Sequence, residues 1–82
     1  MIKVTFYGPL ADVMGRERML EPPRPELSVG EAIDLLRAGD SEFGNALLRM
    51  RVRYAVNNSI VDAAFAVKPG DEIAVLPPFS GG

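Results

Sequence analysis

Ile2, Val4 and Phe6 alternate with Lys3, Thr5 and Tyr7 at the start of the chain. A period of two is what a strand with one buried face requires, because successive side chains point to opposite sides. Gly8-Pro9 stops the run, and Leu10, Val13 and Met14 then fall at helical spacing with Gly15 behind them as a cap. This predicts a short helix or turn, and Arg16 to Leu20 then reads as a second strand folded back on the first. Pro22, Pro23 and Pro25 make the next stretch stiff and non-helical. Ser28-Val29-Gly30-Glu31 has the form of a capping box, and Val29, Ala32, Ile33 and Leu36 follow as one apolar helical face ending at Gly39-Asp40.

A second, weaker helical stretch runs from Ser41 to about Arg49 and points Phe43, Ala46 and Leu47 inward. Val52 to Val56 reads as a strand, Asn57-Asn58 as a turn, and Ile60-Val61 as a short extended piece. Pro69-Gly70-Asp71 is a further turn before a last strand at Glu72 to Leu76. A main helix with one apolar face needs a sheet to cover it. The order therefore predicts an α+β roll, a mixed sheet of four to five strands with one main helix packed across one face. Met14, Met19 and Met50 read as core filler.

Composition narrows the possible chemistry. The 82 residues suit a single small domain, and 48% apolar content is ordinary for a globular chain. The chain has neither Cys nor His, so thiolate nucleophiles, disulfides, zinc-thiolate sites and the usual general base are excluded. No constellation of Asp, Glu, Lys or Tyr stands out instead, and autonomous catalysis is not expected. With a net charge of −2 and scattered basic residues, no nucleic-acid partner is expected. No apolar run approaches the roughly 18 residues that span a bilayer, and the opening lacks the pattern of a signal peptide. The expectation is a cytoplasmic protein with no membrane partner, and with no cofactor bound by the chain.

The ending carries the candidate chemistry. Pro77-Pro78-Phe79-Ser80-Gly81-Gly82 comes directly after the last strand. Proline lacks an amide hydrogen and holds an extended backbone, so Pro77 and Pro78 should end the sheet and project the last four residues away from it. Glycine has no Cβ, and a Gly-Gly end can pass through a slot too narrow for any side chain. The alternative is an ordinary frayed terminus. Phe79 is a large apolar group on an otherwise polar leash, suited to a partner's pocket or to folding back on its own sheet. The division expected is a domain over residues 1–76 and an extended tail over 77–82.

The stretch from Gly70-Asp71-Glu72 through Val75-Leu76-Pro77-Pro78 to Gly81-Gly82 resembles the sulfur-carrier proteins of the β-grasp, ubiquitin-like fold. The opening Ile2–Tyr7 and the segment Ala55-Val56-Asn57-Asn58 are similar to the same family, in particular to its molybdopterin-synthase small-subunit type (MoaD/ThiS). The resemblance implies a carrier for molybdenum cofactor (molybdopterin) biosynthesis. An adenylyltransferase similar to ubiquitin-activating enzymes would use ATP to adenylate the carboxylate of Gly82, and sulfur would replace the adenylate to leave a thiocarboxylate. The large subunit of molybdopterin synthase, in a heterotetramer, would then accept the tail and pass the sulfur to a pterin precursor. Gly82 would bear the sulfur and Gly81 would be the slim residue behind it. A terminal carboxylate is ionised at neutral pH and can attack a phosphate, and the mixed anhydride that results is an activated acyl group.

In a β-grasp sheet the first and last strands are parallel neighbours. Tyr7 and Leu76 would then meet on the face away from the helix, with Ile60 joining them from the turn region. An apolar patch beside the tail fits a partner surface, and the resemblance places partner contacts there too. Sulfur carriage for thiamine or cysteine biosynthesis, protein modification, and a non-catalytic interaction module remain as alternatives.

Overall fold

The computed structural model describes residues 1–77. Strand β1 (Ile2–Phe6) buries Ile2, Val4 and Phe6 and leaves Lys3 and Thr5 half-exposed. Each side chain taken fully out of water contributes about 1.5–3 kcal/mol, so the period-two pattern alone selects which face packs. Helix α1 (Pro9–Met14) follows and buries Leu10 and Met14. Strand β2 (Glu17–Leu20) then returns antiparallel to β1, with Thr5 opposite Glu17 and Ile2 opposite Leu20.

Beyond the prolines, the two-residue strand β3 (Leu27–Ser28) leads into α2 (Val29–Ala38). The capping box is present: the Ser28 hydroxyl accepts the Glu31 amide at 3.1 Å, and Glu31 Oε1 accepts the Ser28 amide at 3.0 Å. Two more amides of this first turn find carbonyls, Val29 N donating to Phe65 O and Gly30 N to Ala63 O, both at 2.9 Å. The helix start is thereby tied to a distant loop, and its free donors are satisfied. Arg24 pairs with the same Glu31 from outside.

Helix α3 (Ser41–Arg49) is nearly as long as α2 and is capped by Asp40, whose carboxylate accepts the Phe43 amide at 3.1 Å. Its Phe43 heads the largest fully buried side chains and meets Phe6 edge-on, ring centroids 5.4 Å apart at 82°. Periodicity ranks this segment below α2 because few of its positions are apolar. Phe43 is its fully buried residue, and Ala46 and Leu47 pack half-buried against the core beside it, as their spacing predicts.

Strands β4 (Arg53–Val56) and β5 (Ser59–Val61) form a hairpin around Asn57-Asn58, both with positive φ. Strand β6 (Ala66–Val67) pairs with β3, a contact too short to show in the sequence pattern. Strand β7 (Glu72–Leu76) enters the centre of the sheet, parallel to β1 and antiparallel to β4. The sheet order is β2-β1-β7-β4-β5, mixed as expected and five-stranded. The helices cover one face, over Val4, Phe6, Ile73, Val75 and Val56, and the other face stays open.

Asp71 locks the end of the molecule where β7 begins. It is buried at 8% exposure and accepts the Asn57 side-chain amide at 3.1 Å and the Lys68 backbone amide at 3.0 Å. Those two bonds, the Lys68 amide foremost, hold its carboxyl below the usual aspartate range. The turn role expected for this residue is thus joined to a tertiary one. Of the methionines, Met14 is buried and Met50 half-buried against the core, but Met19 is 53% exposed. Reading Met19 as core filler was incorrect: opposite Lys3 it falls on the open face, because the β2 register puts Leu20 inward.

Candidate functional site

The open face is organised by strand register. In its middle row Glu17, Thr5, Ala74, Ala55 and Ile60 stand side by side from β2 to β5. One row toward the C-terminal end of β7, Arg53 stands opposite Leu76. Tyr7 follows Phe6, the partner of Val75, and so neighbours Leu76 on this face. Tyr7 is 49% exposed and Leu76 half-buried. Continued by one residue, the register places Tyr7 next to Leu76 at the end of β7.

Ile60 belongs to the same face and is 58% exposed, but it does not join that pair. It lies on the edge strand β5 opposite Ala55, one row back, with β4 between it and β7. The residue beside Leu76 on the neighbouring strand is Arg53. The hairpin register decides this, and a turn at Asn57-Asn58 does not reveal it from sequence.

Pro77 is half-buried and packs on Gly8. A Cβ built on Gly8 would sit 3.1 Å from Pro77 Cγ, and Gly8 has φ 62° and ψ −142°, a region that residues with a Cβ rarely enter. Gly8-Pro9 is thus more than a strand stop. Its backbone forms the seat on which the first proline of the tail rests. A depression of about 380 Å³ opens beside it, with Tyr7, Gly8, Ala11 and Arg16 among its walls. Pro78, Phe79, Gly81 and Gly82 lie outside the described residues.

The described residues include no group of three or more carboxylates that could hold a metal ion. None of their helices is long and apolar enough to cross a membrane. The site root joins Tyr7 and Leu76 on the surface and Pro77 seated on Gly8, with Arg53 beside Leu76 and with both Arg16 and Glu17 lining the depression. Such a surface can dock and aim a chain end. Sequence reasoning missed Gly8 and Arg53 because their places depend on a positive φ and on register.

This architecture, a five-stranded mixed sheet with parallel first and last strands and helices on one face, is the ubiquitin-like β-grasp. The chain belongs to the ThiS family, whose profile matches residues 4–82. A molybdopterin synthase sulfur carrier subunit from Haemophilus influenzae is 32% identical over 85 residues, covering all of both chains. Among solved structures, SAMP1 from Haloferax volcanii superposes with a TM-score of 0.82 at 23% identity, covering 99% of this chain and 98% of that one. A chain of the complex of subunits 1 and 2 of the molybdopterin-converting factor of Helicobacter pylori superposes with a TM-score of 0.68 at 22% identity, covering 99% of this chain and 97% of that one. At these identities the two structures speak for the fold.

Proposed function

We propose that this chain is the sulfur carrier of a molybdopterin synthase, with Gly82 as the residue that bears the sulfur. The family match that runs through residue 82, with a full-length relative named as such a carrier, is the observation that supports it most. The geometry is compatible. Strand β7 brings the chain from the centre of the sheet to Pro77, and five residues follow to Gly82. Five residues reach about 17 Å at most when extended, enough to enter a partner's active site from a docked domain.

In this reading residues 1–76 dock and residues 77–82 deliver. An adenylyltransferase binds the domain, and the Gly82 carboxylate oxygen attacks the α-phosphorus of ATP, expelling pyrophosphate. A sulfur donor then displaces AMP from the acyl carbon and leaves the thiocarboxylate. The large synthase subunit takes the tail, the sulfur moves to the pterin precursor, and water restores the carboxylate. The chain supplies no catalytic side chain and binds no cofactor of its own. ATP belongs to the activating partner. Two small and two large subunits would form the working heterotetramer, with Tyr7, Leu76, Pro77, Pro78 and Phe79 in the contact and Ile60 at its edge.

The test is intact mass after coexpression with an activating enzyme. The expected product is heavier by the difference between sulfur and oxygen, localised to Gly82. An unmodified chain alongside an activating enzyme proven competent on another carrier would overturn the proposal. Adding Ala after Gly82, or Gly81→Leu, should abolish sulfur transfer while leaving the fold unchanged.

A further inference from the structure

The depression of about 380 Å³ at the tail root is walled by Phe6 and Tyr7 at the end of β1, by Gly8, by Ala11 of α1, and by Arg16 and Glu17 where β2 begins. Delivery of sulfur to a partner does not require a cavity on the carrier here. The chain itself carries a group that fits it. Pro77 packs on Gly8, one of the walls, so the tail leaves the sheet at the rim of the depression. Phe79 comes two residues later, no more than about 7 Å along an extended chain. Pro78 stands between them with its φ already fixed, which lowers the conformational cost of turning the ring back to the wall. An aromatic ring gains by leaving water, and the apolar part of the depression offers it Phe6, Tyr7 and Ala11.

Charge in the depression matches the end of the chain. Among the described residues, Arg16 has no carboxylate oxygen within 4.0 Å. Its neighbour Glu17 is held by Lys3 at 3.3 Å, and Asp12, next to Ala11, is not among the walls. Three residues past Phe79 the chain ends in the Gly82 carboxylate, an anion at neutral pH. Three residues reach about 10 Å at most, so a ring seated among Phe6, Tyr7 and Ala11 leaves the terminal anion within range of the Arg16 guanidinium.

We propose that in the free chain the tail folds back on its own domain, with Phe79 in this depression and the Gly82 carboxylate paired with Arg16. The seat needs no partner. Only its role, a resting form that holds the reactive end against the domain, rests on the functional reading above. A partner that offers the same ring a deeper pocket displaces it, so capture of Phe79 releases the carboxylate at the moment of docking. One ring and one exposed ion pair make a weak latch, as a tail that must be surrendered requires.

The isolated full chain is studied by NMR with labelled alanine methyl groups, at low and high protein concentration. The Ala11 methyl should show a cross-relaxation peak to the Phe79 ring. Phe79→Ala should abolish that peak and move the amide resonances of Tyr7, Gly8 and Ala11, whereas Ser80→Ala should leave them in place. Arg16→Gln should weaken the closed form about twofold, as loss of one exposed ion pair does, and Arg16→Lys should restore most of it. Arg37→Gln, the same loss of charge on α2, should have no effect. No peak in the parent and unmoved resonances in Phe79→Ala would overturn the proposal. A peak that grows with concentration would assign the ring to a second copy and overturn it equally. Parental behaviour of Arg16→Gln would overturn the ion pair. No partner is present in this experiment, so its failure leaves the sulfur-carrier reading standing, and an unmodified Gly82 in the mass measurement would leave the seat standing.

Discussion

Gly8→Ala tests the link between the fold and the tail directly. The backbone at Gly8 has φ 62° and ψ −142°. Holding a residue with a Cβ there costs about 1–3 kcal/mol. The new methyl would also lie 3.1 Å from Pro77 Cγ and 3.4 Å from Pro77 Cβ. A proline ring cannot rotate away, so Pro77 must shift by a few tenths of an ångström with its backbone. Both effects act in the same direction, and the expected loss is about 2–3 kcal/mol, a large share of the usual margin of about 5–15 kcal/mol. Urea unfolding at pH 7 measures it, with an unchanged m-value as the check that only stability moved. Gly15→Ala is the comparison, since Gly15 has φ 81° with open space around it and suffers backbone strain alone. Pro77→Ala in the Gly8→Ala background should recover part of the loss, giving a coupling of about 0.5 kcal/mol or more in a double-mutant cycle. A Gly8→Ala variant within about 0.5 kcal/mol of the parent would refute the reasoning. So would a cycle with no coupling, which would leave Pro77 independent of its seat.

Phe43→Ala removes the largest fully buried side chain and its edge-on contact with Phe6. It should cost about 3–5 kcal/mol in chemical denaturation, and a loss under about 1 kcal/mol would mean that α3 is peripheral to the core. Ser28→Ala deletes the hydroxyl that accepts the Glu31 amide and should cost about 1 kcal/mol, visible as a lower unfolding midpoint. Asp71→Ala should cost about 1–3 kcal/mol at pH 7 by leaving the Lys68 amide and the Asn57 side chain without their acceptor. The Asp71 carboxyl titrates below its usual value of about 3.9, so its contribution is present above that pH and disappears as pH falls through the lowered folded value. The difference between parent and Asp71→Ala should therefore shrink below about pH 4. An equal difference at about pH 3 and pH 7 would contradict the assignment.

The elements with strong local signals were legible in the chain itself. The alternation of Ile2, Val4 and Phe6, the capping box at Ser28 and Glu31, the Asn57-Asn58 turn and the strand Glu72–Leu76 stand where periodicity and turn chemistry put them. Each depends on interactions within a few residues, and binary patterning states them directly. The pairing β3–β6, the weight of Phe43 and the exposure of Met19 were not legible, because each is decided by what a distant segment brings alongside. The same division runs through the site. The order of residues from Pro77 to Gly82 and the slenderness of a Gly-Gly end belong to the sequence alone. That Arg53, and not Ile60, stands beside Leu76 is fixed by the register of β4 against β7 and β5. That Pro77 rests on Gly8 comes from β1 and β7 running parallel at the centre of the sheet. Local propensity decides what each segment becomes. Which side chains share a surface is settled only when burial of the common core selects one register among those the segments allow.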